Sequence, residues 1–416
     1  MPLLPLLCFL FFYSFLYAFR LSFPPLMYFD EVYFVPAARA ISTLSGYSET
    51  THPPLGKILI ALVLKIFGDQ SWTWRLPSLL ASAGSLILIE KICFLLSGRK
   101  RFVGYLTILL LTLDGLWITQ SRIGLLNAPM LFLMLASIWC VVKEKVQIQK
   151  SIPFLKRKAW LLGGIFAGLA VGTKWSAVSI LPLIAIWSYI HFQTKPISLQ
   201  QVRGISFYWI LVPLISYFAT FLVILWIQGY DGSSIWNLQK AIPQHHLVDA
   251  LGLSQRYSSP WWSWPFMTRP IWYGFNRHDP SLPLEQQIID GILCIGNPAI
   301  FWMILPAIGF SIWQFIKHRN PLNGLIVVGF LTEWMQSVFI TRYTLFHHFY
   351  PALPFAAMAI AFTLYHFWNR NVLGKLGVGF YFGIVVTLFI YWYPLWTGIP
   401  ISYDFYQHHL WFTAWK

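Results

Sequence analysis

Thr73-Trp-Arg-Leu-Pro-Ser-Leu-Leu-Ala-Ser-Ala-Gly-Ser-Leu-Ile-Leu-Ile-Glu-Lys-Ile-Cys-Phe-Leu-Leu-Ser97 is a stretch whose only ionisable groups besides Cys93 are Arg75 at its start and Glu90-Lys91 near its end. About 20 predominantly apolar residues suffice for a helix to cross a hydrocarbon core. Working outward from 73–97, ten further stretches have the same character: 3–21, 102–119, 126–142, 159–173, 175–192, 205–227, 297–317, 321–340, 344–368 and 374–396, the run at 159–173 being short for a crossing. The whole chain agrees, with 57% hydrophobic and only 10% charged residues over 416 positions, too apolar for a soluble globule. The sequence predicts an all-α polytopic membrane protein with about 11 transmembrane helices.

Lys and Arg collect in short cytoplasmic loops. With the N-terminus inside, the inner loops hold Arg99, Lys100, Arg101, Lys143, Lys145, Lys150, Lys156, Arg157, Lys158, Lys195, Arg203, Lys317, Arg319, Arg370 and Lys375, over half of the 29 cations. The C-terminus is then outside, as are two long segments, 22–72 and 228–296, and the short turns bearing Arg122, Lys174 and Arg342. The net charge of +15 is thus mainly a topology signal and partly an anion-binding one, and nucleic acid is not needed to explain it. No Lys or Arg precedes Arg20 and no clear small-x-small site precedes it, so the first span is expected to stay uncleaved. Cys8, Cys93, Cys140 and Cys294 lie far apart without CxxC spacing and read as core hydrophobes, implying neither disulfide nor metal. No internal repeat of the transporter kind is visible.

The two outer segments are more than connectors. Asp30 to Ser42 reads as a short helix along the membrane interface, and Leu55 to Phe67 as a second, of about 13 residues and so too short to cross at about 1.5 Å per residue. The run Tyr257-Ser-Ser-Pro-Trp261-Trp262-Ser263-Trp264-Pro265-Phe266 suits a headgroup layer and also a sugar ring, which makes Trp261 and Trp264 candidate substrate contacts.

Asp30-Glu31 and His52-Pro53-Pro54-Leu55-Gly56-Lys57 bring an acid pair and a cation to one membrane face, where charge is expensive without a function. A carboxylate there can act as general base toward an acceptor hydroxyl. A sugar on a lipid phosphate already has a good leaving group, whose charge preorganised Lys or Arg would steady; Lys57, Arg75, Arg122 and Arg342 are the candidates. The blander readings are snorkelling for each cation and a helix N-cap for the acids, a role compatible with catalysis. His52, presented at a helix entrance by two prolines, and His347 are candidates for orienting substrate. His245-His246 and His347-His348 lack a metal-ligand spacing, so hydrogen bonding at the interface is the default for both pairs.

In their order, these motifs resemble the protein O-mannosyltransferases, which use dolichyl- or polyprenyl-phosphate mannose. The resemblance runs along nearly the whole chain through Phe29-Asp30-Glu31, His52-Pro-Pro-Leu-Gly-Lys57, Trp74-Arg75-Leu-Pro77, Asp114-Gly115, Gln120-Ser121-Arg122-Ile123 and Gly172-Thr-Lys174-Trp175-Ser176, then Tyr257 to Pro265 with Arg269-Pro270, Gly296-Asn297-Pro298, and Arg342 to Pro351. It implies the C-type glycosyltransferase (GT-C) fold and inverting transfer of mannose from a polyprenyl-phosphate-mannose donor to Ser or Thr hydroxyls of exported proteins. It implies Asp30-Glu31 as the catalytic acids with Asp30 the base, Arg75 and other outer cations on the lipid phosphate, and no tightly bound metal. The active site would face outward from a bacterial plasma membrane, with an acceptor protein and possible secretion-machinery or oligomeric partners. Two departures stand out: residues 228–296 are too few for the MIR domain of eukaryotic members, which is the compact bacterial form, and Asn127 stands where the family usually has an acid. A transferase with a lipid or glycan acceptor, of the aminoarabinose-transferase kind, is the nearest alternative, although those tend to have Lys where this chain has His52. A transporter or flippase would be expected to show repeats and more mid-span charge than Glu90, Lys91 and Glu333.

Overall fold

A computed structural model describes residues 3–98, 100–147, 157–192, 199–229, 232–249 and 256–416. Arg99, Lys150, Lys156 and Lys195, four of the cations expected in inner loops, lie outside these, as does the side chain of Cys8. The chain runs α1 (Leu3–Ala18), α2 (Glu31–Ser42), α3 (Leu55–Phe67), α4 (Ser71–Leu96), α5 (Arg101–Thr112), α6 (Gly115–Ser121), α7 (Asn127–Gln147), α8 (Lys158–Thr173) and α9 (Ile180–Phe192). It continues through α10 (Leu199–Ser206), α11 (Val212–Ala219), α12 (Leu222–Ile227), α13 (Gly232–Gln244), α14 (Pro298–His318), α15 (Pro321–Met335), α16 (Leu353–Trp368), α17 (Val372–Thr397) and α18 (Tyr403–His409).

Each of the eleven apolar stretches is helical along most of its length. Among the described residues, seven helices are long and apolar enough to cross a membrane, eight if α5 and α6, which meet at a 72° bend, count as one. That bend has a chemical cause. Asp114 caps α6 by accepting from the Trp117 amide (3.1 Å) and also accepts from the Asn297 amide (2.9 Å). Asn297 caps α14 through the Ala299 amide and donates to the carbonyls of Leu113 and Val385. A Cβ on Gly115 would stand 2.1 Å from the Trp396 ring, so only glycine lets α17 lie this close. Two sequence motifs thus form one buried joint, which satisfies backbone groups that a broken helix would leave bare in lipid.

The expectation of an all-α chain needs one correction. Within 228–296, β1 (Ile271–Arg277) and β2 (Ile288–Cys294) form an antiparallel hairpin, bulged between Trp272 and Gly274, and β3 (Ile401–Ser402) adds to β2. Pro270 precedes β1 and His278-Asp279-Pro280 follows it, so aromatic and β-branched residues are bracketed by turn formers.

The intramembrane charges have partners. Glu333 accepts from Ser179 at both oxygens (2.8 and 2.9 Å) and from Gln336 (2.9 Å), tying α15 to the start of α9. Glu90 pairs with Arg101 at 3.4 Å, and Lys91 lies over the Trp139 ring. Cys93, Cys140 and Cys294 are buried free thiols.

Candidate active site: an unpaired carboxylate facing two cations

The chain reaches Asp30 through a left-handed residue, Phe29, with φ of 52°. A bulky side chain seldom adopts that conformation, and here packing holds it: the Phe29 ring lies 4.4 Å from Tyr273 and meets His347 edge-on at 5.5 Å. Past this turn the two acids have separate surroundings.

Glu31 is wholly buried and saturated. One carboxylate oxygen accepts from Arg75 Nε and the Gly124 amide, both at 2.8 Å, and the other from Arg75 Nη2 (3.0 Å) and the Tyr28 amide (3.3 Å). Arg75 spends its remaining donors on the carbonyls of Leu21 (2.9 Å) and Leu26 (3.3 Å), with its guanidinium over the Tyr28 ring. The bidentate geometry suits a planar fork in a dry site.

Asp30 is only half-buried. It makes no side-chain cap to α2, and its carboxylate has no hydrogen-bond partner among the described residues. The capping role open to Asp30 is therefore not used. Burial raises its pKa to about 6, against the pull of Lys174 and Arg342 and with a small push from Glu49. Lys174 sits in the turn after α8, where burial, aided by Arg342 and opposed by Asp30, lowers its pKa to about 8.

A chain of side-chain amides holds Lys174. Its ammonium donates to Asn127 Oδ1 (2.9 Å), the Asn127 amide donates to Gln120 Oε1 (2.7 Å), and the Gln120 amide donates to the Tyr273 hydroxyl. The ammonium therefore rests on a neutral carbonyl and has no direct ion pair among the described residues. Arg342, partly exposed, is carried by a segment pinned to the aromatic loop: the Ser259 amide donates to the Thr344 carbonyl (2.9 Å) and the Thr344 hydroxyl to the Ser259 carbonyl (2.7 Å).

Three of the four expected phosphate-binding cations are engaged elsewhere. Arg75 is locked on Glu31. Arg122 donates to the carbonyls of Tyr17, Phe19 (2.6 Å) and Arg20 (3.1 Å), closing the C-terminus of α1, where carbonyls lack helical partners. Lys57, fully buried, is paired with Glu49 and donates to Tyr47 and to the carbonyls of His52 (2.7 Å) and Glu49 (3.2 Å). The three share one setting: each cation is buried near bare carbonyls or beside an acid. Arg342 alone of the four faces Asp30, and Lys174, a residue absent from the expected site, joins it. The sequence signal for Lys174 was a lone cation in a short outer turn.

His52 lies 5.2 Å from the His246 ring, and His246 Nε2 bonds the Thr51 carbonyl (2.9 Å). Burial and the nearby cations hold His52 well below its ordinary pKa, and burial takes His246 to about 4. Both are neutral polar walls. His347, beside Phe29 and His348, forms another wall. Trp264 is not a free sugar platform: it is buried, donates to the Ser259 hydroxyl (3.1 Å) and packs on His348 and Phe349. Trp261 is half-buried against Trp334, which donates to its carbonyl (2.9 Å). Among the described residues no three His, Cys, Asp or Glu side chains are grouped to hold a metal ion.

Two family profiles tile most of the chain: dolichyl-phosphate-mannose-protein mannosyltransferase over residues 64–228, and the C-terminal four-transmembrane region of protein-O-mannosyltransferase over 232–415. The polyprenol-phosphate-mannose–protein mannosyltransferase of Mycolicibacterium smegmatis is 24% identical, across 93% of this chain and 87% of its own. Its Mycobacterium tuberculosis counterpart is 26% identical, across 93% and 86%. Among solved structures, the Saccharomyces cerevisiae Pmt1–Pmt2 complex bound to the sugar donor superposes with a TM-score of 0.79 at 15% identity, covering 99% of this chain and 92% of that one. ArnT from Cupriavidus metallidurans bound to undecaprenyl phosphate gives 0.63 at 13%, covering 92% and 63%. These two share the fold.

Proposed function

Because the chain belongs to the protein O-mannosyltransferase family, we propose that the cleft bounded by Asp30, Lys174 and Arg342 moves mannose from a polyprenyl-phosphate carrier to a Ser or Thr hydroxyl of an exported protein. The observation that carries this reading is the Asp30 carboxylate, which has no hydrogen-bond partner among the described residues and lies within electrostatic reach of Lys174 and Arg342. Asp30 takes the hydroxyl proton as that oxygen bonds the anomeric carbon, and the bond from that carbon to the phosphate oxygen breaks on the opposite face with inversion. Polyprenyl phosphate leaves with the electron pair. Lys174 and Arg342 meet its charge. Glu31 and Arg75 position Asp30 by fixing the turn before it, Arg122 braces the end of α1, and Lys57 braces residues 47–52. His52, His347 and the exposed edge of Trp261 line the space for sugar or acceptor.

The donor class follows the relatives' printed names. The finer topology we propose is eleven crossings with the N-terminus inside and the C-terminus outside, α2 and α3 lying in the interface, and 22–72 and 228–296 on the outer face of a bacterial plasma membrane. Since Lys174 and Arg342 supply the phosphate's counter-charge, chelating divalent ions is expected to leave turnover intact. The deciding experiment gives membranes containing the wild-type chain a polyprenyl-phosphate-mannose donor and a panel of Ser/Thr-rich peptides. Mannosylated peptide with inverted configuration supports the reading; no transfer to any peptide, or transfer only to lipid or glycan acceptors, overturns it.

A further inference from the structure

The described residues hold a second concentration of unpaired positive charge, at the opposite end of the bundle from Asp30. From His347, α16 and the turn before it run on through 23 residues to Arg370, a helical path of roughly 30 Å at about 1.5 Å per residue. There Lys100, Trp313, Tyr365 and Arg370 line a cavity of about 700 Å³. The Lys100 ammonium lies 5.3 Å from the centre of the Tyr365 ring, and Lys317 stands 5.1 Å from that of Trp313. Neither Lys100 nor Arg370 has a side-chain hydrogen bond or ion pair among the described residues. Arg101, next to Lys100, has its carboxylate in Glu90.

Arg370 also lines a second cavity of about 470 Å³, whose wall is mostly apolar, with Met303, Leu364, Leu373, Val378 and the bare backbone of Gly377 beside Asn371 and Tyr381. A side chain at Gly377 would meet nothing within 4 Å. No carboxylate lines either cavity. A cationic, aromatic-edged recess thus opens, through a shared arginine, onto an apolar trough along α16 and α17.

We propose that this pair of cavities is a binding site for an anionic phospholipid, with its phosphate head between Lys100 and Arg370 and an acyl chain in the trough beside Gly377. Basic pockets between helices at a membrane face are built for that chemistry. The trough distinguishes a lipid from a free anion, since a phosphate ion would leave it empty. The reading is independent of the reaction at Asp30, and both variants below leave that cleft untouched.

Native mass spectrometry of the delipidated full chain in detergent, titrated with phosphatidylglycerol or with phosphatidylcholine of the same acyl chains, tests it. The wild type is expected to take up one phosphatidylglycerol in preference to phosphatidylcholine. Lys100→Gln/Arg370→Gln should weaken that adduct about thirtyfold, two surface cations' worth, while its phosphatidylcholine binding stays as in the wild type. Gly377→Leu, which fills the trough but keeps the charges, should also weaken it. Equal binding of the two lipids by the wild type, an unchanged adduct in the double variant, or displacement of the lipid by equimolar inorganic phosphate would each overturn the proposal. Retained mannosyl transfer by the variants serves as the check that they fold.

Discussion

Asp30 and Glu31 are neighbours in the chain and opposites in the molecule. Around Glu31 every acceptor site is filled by Arg75 or a backbone amide, and the group is sealed from solvent. Around Asp30 no donor among the described residues is in place, and two cations stand off at electrostatic range. Glu49 with Lys57 repeats the first arrangement. A saturated buried pair gives shape and cannot easily change charge; an unsaturated carboxylate in a half-open cleft keeps its proton affinity for a substrate. The segment 22–72 holds both, and the knot shapes the surroundings of Asp30.

The largest expected effect comes from emptying the cleft of its base. Asp30→Asn should lower kcat by about 10²–10⁴, the usual weight of a positioned general base, with an unchanged heat-inactivation midpoint in detergent; transfer at the wild-type rate would remove Asp30 from the chemistry. Cutting the knot should do the reverse. Arg75→Met leaves the Glu31 carboxylate buried without its counter-charge, a loss of about 3–5 kcal/mol, read as a fall in the inactivation midpoint. Adding Glu31→Gln should restore part of it, because a buried acid bound to two amides is then replaced by a neutral group. If Arg75 bound the lipid phosphate instead, the single variant would raise the donor KM at constant midpoint, and the comparison would fail.

How far such a division could be foreseen depends on range. Each of the eleven apolar stretches proved helical along most of its length, because local hydropathy and helix formation report the same twenty-residue window. Leu55–Phe67 matched end to end, being bounded by Pro54 and by Gly68 at φ of 83°. The hairpin at 271–294 escaped notice because its strands, one bulged between Trp272 and Gly274 and the other buried along nearly its whole length, carry no clean alternation of apolar and polar residues. The site was legible as a set of residue types at one face and illegible as pairings. Glu31 meets Arg75 from 44 positions away, and Arg122 reaches carbonyls more than 100 positions earlier. Nothing in the sequence of those arginines says that their donors are already used, whereas Lys174, at the C-terminal end of α8, rests on the Asn127 amide oxygen and pairs directly with no acid among the described residues.

Within the cleft, Lys174→Gln should reduce kcat/KM for the donor by roughly 10- to 150-fold, the range of about 1.5–3 kcal/mol for a charged hydrogen bond, and leave the inactivation midpoint where it was. A similar fall in midpoint to that of Arg75→Met would make Lys174 another member of the knot. The wild-type pH profile then follows from the two groups. Asp30 must be ionised to accept a proton, so kcat/KM should rise as pH climbs through about 6; Lys174 must stay protonated to hold phosphate, so it should fall above about 8. Asp30→Asn should abolish the acidic limb of whatever activity survives, and Lys174→Gln the alkaline one.

Asn127→Asp is the smallest change and the finest probe, because it alters one atom at the boundary between the two arrangements. The wild-type side chain offers Lys174 a carbonyl and passes its own amide protons to Gln120. A carboxylate there would convert the ammonium's neutral rest into an ion pair, making the cleft resemble the knot. An opposite charge at hydrogen-bond distance favours the protonated amine, so the alkaline limb should move to higher pH. The same pairing competes with the donor phosphate, so the donor KM should rise a few-fold with kcat little changed, about 0.5–1 kcal/mol at 1.4 kcal/mol per tenfold. The lost donation to Gln120 would also free the Tyr273 hydroxyl's partner, but Phe29 keeps its packing on that ring. A KM that stays constant while the limb moves would mean that Lys174 titrates in the cleft without touching phosphate, leaving Arg342 as the group that meets the leaving charge.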